Sequence, residues 1–140
     1  MRRLSERATR IVRVRAIEHR VAATRQAAAE RRITELLGIA SRLSTLRSGL
    51  GMSEGATDGQ ALNSMSEMLQ RLRRAERDLA RPISQAEAHH QHVFAVRLAA
   101  RSREDGAERL RDKAAAAEEA AAALREGSSR ISRKTSRRRP

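Results

Sequence analysis

The sequence contains no cysteine, no tryptophan and no tyrosine, and its one aromatic among Phe, Trp and Tyr is Phe94. Without thiols, disulfides, thiolate metal sites and a cysteine nucleophile are excluded outright. With the aromatics missing, so are the large side chains that dominate globular cores, and a thick core is not expected. Proline occurs twice and glycine seven times in 140 residues, so helix breakers are scarce. No stretch approaches the roughly 20 apolar residues that a membrane span requires. The opening MRRLSERATRIVRVRAIEHR breaks its apolar residues with arginine at short intervals, so it has no apolar h-region of a secretory signal. These absences predict a soluble, cytoplasmic protein.

What is present is helix-forming. Hydrophobic residues make up 39% of the chain, much of it alanine, and charged residues 34%. With abundant Ala, Arg, Glu, Leu and Gln, this is the composition of long helices or coiled coil. The net charge of +13 is unevenly placed. Eight arginines against Glu6 and Glu18 make residues 1–25 +6, six basic residues and no acid make residues 130–140 another +6, and the middle is +1. Arginine supplies 28 of the 30 basic residues along the whole chain, so position carries more information than the preference for arginine over lysine.

From Leu4 to about Leu46 only Gly38 interrupts the helix formers, and small or apolar residues recur at Val14, Ile17, Val21, Thr24 and Ala28. After a one-residue shift the pattern resumes at Ala29, Ile33, Leu36, Ala40, Leu43 and Leu50, with Arg47 out of character. The spacing predicts a first helix over about residues 3–48, with a narrow stripe that needs a partner helix. Residues 49–59 follow as a loop, with Gly49 or Gly51 placed as a left-handed helix cap. Gly51-Met52-Ser53-Glu54-Gly55 matches the G-x-S-x-G pattern of a nucleophile elbow. That motif needs a buried strand before the serine, and the periodicity here is helical, so it reads as a helix-breaking loop.

A second run goes through Leu62, Met65, Leu69, Leu72, Leu79, Ile83, Ala86 and Val93, with Glu76 and His90 as polar exceptions. A phase change at Val93–Val96 then gives Ala100, Ala107, Leu110, Ala114, Ala117, Ala121 and Leu124, with Arg103 the exception. Helix 2 is expected over about residues 60–126, closed by Gly127. Pro82 removes an amide donor and crowds the Asp78 carbonyl, which predicts a kink or short break near Leu79–Arg81. The expected fold is all-α: a long antiparallel two-helix coiled coil over residues 1–127 and a disordered basic tail over 128–140. With residue 50 facing about residue 60, Leu4 falls near residue 106, Ala107–Leu124 projects past helix 1, and both basic segments share one end.

Candidate chemistry is sparse. His89 and His92 stand one turn apart with Glu87 nearby, short of the three or four converging ligands that zinc needs. Adjacent acids such as Glu104-Asp105 and Glu118-Glu119 do not face each other across a substrate. The reading is a non-enzymatic protein with no cofactor and no metal. For the basic tail, a solvated charged end, an acidic protein surface, nucleic acid and anionic membrane are all open. Stacking aromatics of the kind single-strand binders use are absent from both basic segments.

A basic chain of this length, with a long helix, the loop Met52-Ser53-Glu54-Gly55-Ala56-Thr57 and a longer helix opening on Leu62, Met65, Met68, Leu69 and Leu72, resembles the FliJ-type stalk proteins of flagellar and type III secretion export systems. The likeness extends over nearly the whole chain, although the single aromatic and the alanine-rich end depart from the usual pattern. It implies an antiparallel coiled coil like the rotor stalk of rotary ATPases, whose terminal end enters the hole of the hexameric export ATPase. It further implies contacts with the export gate and export chaperones, at the cytoplasmic face of the inner membrane. Carried onto this sequence, the partner-binding residues are Arg2, Arg3, Arg7, Arg10 and Arg13 at the basic end and Met65, Met68, Leu69 and Leu72 on the second helix. Two alternatives stand beside it, a basic coiled-coil nucleic-acid-binding protein and a generic coiled-coil scaffold.

Overall fold

The computed structural model describes residues 2–51 and 58–136. They form two helices, α1 (Arg2–Gly51) and α2 (Gly59–Ser136), packed antiparallel as an all-α hairpin, with no strand among the described residues. The Met52–Thr57 motif, Ser53 of the elbow match and Arg137, Arg138 and Arg139 lie outside the described residues. Asp58 starts α2 as an N-cap: its Oδ1 accepts from the Gln60 N–H at 3.4 Å, and its carbonyl accepts from Leu62 N–H at 3.1 Å.

Three expected boundaries move. Gly49 lies inside α1, and no described glycine has a positive φ, so neither Gly49 nor Gly127 is a left-handed cap. α2 runs through Gly127 to Ser136, taking in residues 128–136 of the segment read as a tail. Nor does Pro82 break α2, which is one helix across it. A single missing amide bond in so long a helix is outweighed by seam packing on both sides, where Leu79, Pro82 and Ile83 are all half-buried.

The chain divides into two compact units, Ala23–Val96 and Met1–Ala22 with Arg97–Pro140. In the Ala23–Val96 unit the expected stripes pack as read. Ala29 and Leu36 are buried and Ile33, Ala40, Leu43 and Leu50 half-buried; on α2, Leu72 and Val93 are buried and Met65, Leu69, Leu79, Ile83 and Ala86 half-buried, while Leu62, expected in the same stripe, is exposed. Thr24 and Ala28 are exposed, and Gln26 takes the seam position instead. Arg47 reaches Glu76 across the seam at 2.8 Å, and His90 approaches Glu30 at 3.5 Å.

In the terminal unit the expected stripe is wrong on α1 and right at one of its two alternating positions on α2. Val14, Ile17 and Val21 are 54%, 59% and 44% exposed, whereas Val12, Ala16 and His19 are half-buried and Ala22 is buried. On α2, Ala100 and Ala107 are buried and Ala114 and Ala121 half-buried as read. The positions between them belong to Glu104, Arg111 and Glu118, while Leu110, Ala117 and Leu124 are exposed. No phase shift is needed: counting 4-3 from Met65 reaches Ala121 without a stammer, and counting 3-4 from Val12 reaches Leu50. Hydrophobic bulk does not mark this seam. The seam instead uses alanines, which let two backbones approach, and polar groups that satisfy each other across it.

Those polar contacts also correct the register. Glu118 Oε1 accepts from the Ser5 amide at 3.2 Å and Glu104 Oε2 meets His19 Nδ1 at 2.6 Å. The first turns of α1 are therefore level with Glu118 and not with residue 106. In the other unit the Arg47–Glu76 pair places the last turn of α1 beside Leu72–Glu76 and not residue 60. The expected register assumed the tightest connection; the observed one gives the charged seam residues partners.

Candidate partner-binding surfaces

The first surface is the outer side of α1 in the terminal unit. Arg3, Arg10, Val14, Ile17 and Val21 follow one another at intervals of seven, four, three and four, which puts them on one side of a helix, turned away from the His19 seam. Arg3, Arg7, Arg10 and Arg13 are exposed, and none of them forms an ion pair among the described residues; Arg15 does, with Glu18 at 2.8 Å. The side chain of Arg2 is outside the described set. The basic residues of the second cluster, Arg130, Arg133 and Lys134, are exposed on α2. Because α1 begins near Glu118, Arg130 stands twelve residues farther along α2, about 18 Å at 1.5 Å per residue. Both clusters thus lie in one unit, nearer to each other along α2 than the expected register placed them.

The apolar set divides. Leu72 is buried in the seam of the Ala23–Val96 unit and already has its partner there. Met65 and Leu69 are half-buried, and Met68 is 48% exposed beside the exposed Leu62. With α1 ending level with Leu72, residues 59–71 have no α1 residue opposite them, so this first part of α2 offers Leu62 and Met68 outward.

Two surfaces were not legible as sites in the sequence. An open groove of about 1040 Å³ is lined by Arg47, Arg71, Arg73, Arg74 and Arg77 around Glu67 and Glu76. Glu76 holds Arg47, and the Arg77 Nε–H donates to the Arg73 carbonyl at 3.4 Å, while Arg71, Arg73 and Arg74 form no ion pair among the described residues. The QRLRRAER run was visible, but it sat in a middle segment of nearly zero net charge, and Arg47 joins it only through the fold. The second is an apolar groove of about 720 Å³ along the last turns of α2, lined by Ala120, Ala123, Leu124, Gly127, Ser128 and Ile131.

The histidines are dispersed. His89 and His92 are exposed, and His90 stacks on Phe94 with ring centroids 6.4 Å apart. His19 is held by Glu104, with its Nε2 buried and without a hydrogen-bond partner. No group of three or more His, Cys, Asp or Glu converges among the described residues, and no described helix is long and apolar enough to cross a membrane. Compared with known protein families, with curated proteins and with solved structures, the chain matches none of them.

Proposed function

We propose that this chain is a non-enzymatic coiled-coil coupling protein, a stalk component of a flagellar or type III protein export ATPase complex, as the likeness of its sequence to the FliJ-type proteins implies. The observation that carries the reading is the outer side of α1, where exposed Arg3, Arg7, Arg10 and Arg13, with no ion pair among the described residues, flank the exposed Val14, Ile17 and Val21. A ring lumen lined by carboxylates attracts such a face over a Debye length, about 8 Å at physiological salt. The apolar residues then supply the short-range contact. The positive end of the α1 dipole adds to the attraction. The export gate and export chaperones remain further partners within this proposal, reached through Leu62, Met65 and Met68 at the start of α2.

A second reading, a basic coiled-coil nucleic-acid-binding protein, draws on the groove around Arg71, Arg73 and Arg74. Phosphate contacts alone support sequence-indifferent binding to a duplex without any aromatic stacking. One pair of variants separates the two. The hexameric export ATPase and a DNA duplex are each offered to wild type, to Arg3/Arg7/Arg10/Arg13→Gln and to Arg71/Arg73/Arg74→Gln at near-physiological salt. The stalk reading expects ATPase capture that only the α1 variant loses. Tight DNA binding abolished by the groove variant, with no ATPase capture by any form, establishes the second reading instead.

A further inference from the structure

The last turns of α2 carry an apolar groove with no α1 beside it. Ala114, Glu118 and Ala121 are half-buried on the α1 side, while Ala120, Ala123 and Leu124 are exposed on the opposite flank, and past about Ala121 α1 has not yet begun. Leu124 is 76% exposed and Ile131 68%. Gly127 is a notch between them: a Cβ placed on it meets no atom within 4 Å, so nothing in the chain itself calls for glycine there.

We propose that this groove is filled by the same segment of a second copy of the chain, running antiparallel about a two-fold axis between Arg125 and Glu126. Under that axis Leu124 sits over the Gly127 notch of the other copy and Ile131 over the other copy's Ala120, so each large residue meets a small one, while Ala123 faces Ser128. The charges follow the same symmetry. Glu119 and Arg130 share one edge of the groove, and the two-fold brings Glu119 of each copy within two residues' rise of Arg130 of the other. A parallel pairing would set Leu124 against Leu124, leave the notch empty and put Glu119 beside Glu119. The order of acid before base along this edge therefore selects the antiparallel dimer. The contact, from Ala120 to Ile131, spans about three helical turns and falls below the ~1,200 Å² of a standard stable complex, so association is concentration-dependent.

Sedimentation of the full chain from about 5 to 500 μM tests this, a range that brackets a weak dimer. Wild type is expected to dimerise. Gly127→Leu fills the notch without touching anything in the monomer, so helicity by circular dichroism is kept while the dimer dissociation constant rises at least about tenfold. The exchange Leu124→Gly with Gly127→Leu keeps one glycine and one leucine and restores the large-small pair under the two-fold. It is expected to return the constant to within about threefold of wild type. A wild-type chain that stays monomeric across the range, a Gly127→Leu variant that dimerises undiminished, or an exchange that fails to rescue would each overturn the proposal.

Discussion

Replacing Glu104 with leucine removes the carboxylate that His19 Nδ1 meets at 2.6 Å and leaves both ring nitrogens without a partner, since Nε2 is already buried without one. A polar group stranded in a packed seam costs about 1–3 kcal/mol. The two side chains keep 25% and 21% of their surface, so solvent recovers part of that and about 1–2 kcal/mol is the expected loss. For a chain of this size that lowers the melting temperature by about 3–6 °C. The double replacement His19→Leu with Glu104→Leu removes both polar groups together and is expected to be as stable as wild type or more so. Thermal unfolding of wild type, both single variants and the double variant, followed by circular dichroism at 222 nm, gives the coupling between the two sites. Ile17→Gln and Leu110→Gln serve as controls, because both residues are mostly exposed and should change stability by less than about 0.5 kcal/mol. If Glu104→Leu were as stable as the double variant while Ile17→Gln melted early, the seam would run through the bulky residues and the packing described for this unit would be wrong.

Leu36→Ala, at a position only 3% exposed, should cost about 2–3 kcal/mol, read from urea unfolding. Ala107→Leu should destabilise the terminal unit by about 1–3 kcal/mol through overpacking, and a neutral outcome would mean that the helices are not closely apposed there. Gly106→Ala has open space at its Cβ and should stabilise α2 by about 0.5–1 kcal/mol, detectable as a higher melting temperature. Asp58→Ala removes the cap of α2 and should cost about 1 kcal/mol, with faster amide exchange confined to Gln60–Leu62.

The stripe from Met65 through Leu72, Leu79, Ile83 and Val93 was readable because its apolar residues are large and the only polar interruptions, Glu76 and His90, keep to the same count. In the terminal unit the reading failed for a physical reason. Ile17 and Leu110 outrank His19 and Glu104 on any hydrophobic count, yet a histidine and a glutamate that meet across the seam satisfy each other, and the alanines around them leave no room for leucine. Among the candidate binding residues, Arg3, Arg7, Arg10 and Arg13 were recognisable from charge alone, since nothing in the hairpin covers them. Leu72 was not distinguishable from Met68, because whether an apolar residue serves the seam or a partner depends on where the other helix ends.

Composition and periodicity by themselves determined that this chain is helical, that it has two long helices joined through a loop read at residues 49–59, and that its basic charge is concentrated toward the two ends of the chain. These follow from local propensity and from charge, which act residue by residue. The tertiary structure alone decided the register, the faces turned inward, and the exposure of Val14, Ile17, Leu124 and Ile131. Each of these depends on pairs far apart in sequence, Ser5 with Glu118, His19 with Glu104 and Arg47 with Glu76. An antiparallel pair of helices can slide by whole heptads with little change in apolar contact, so the few polar groups that must find partners choose where it stops.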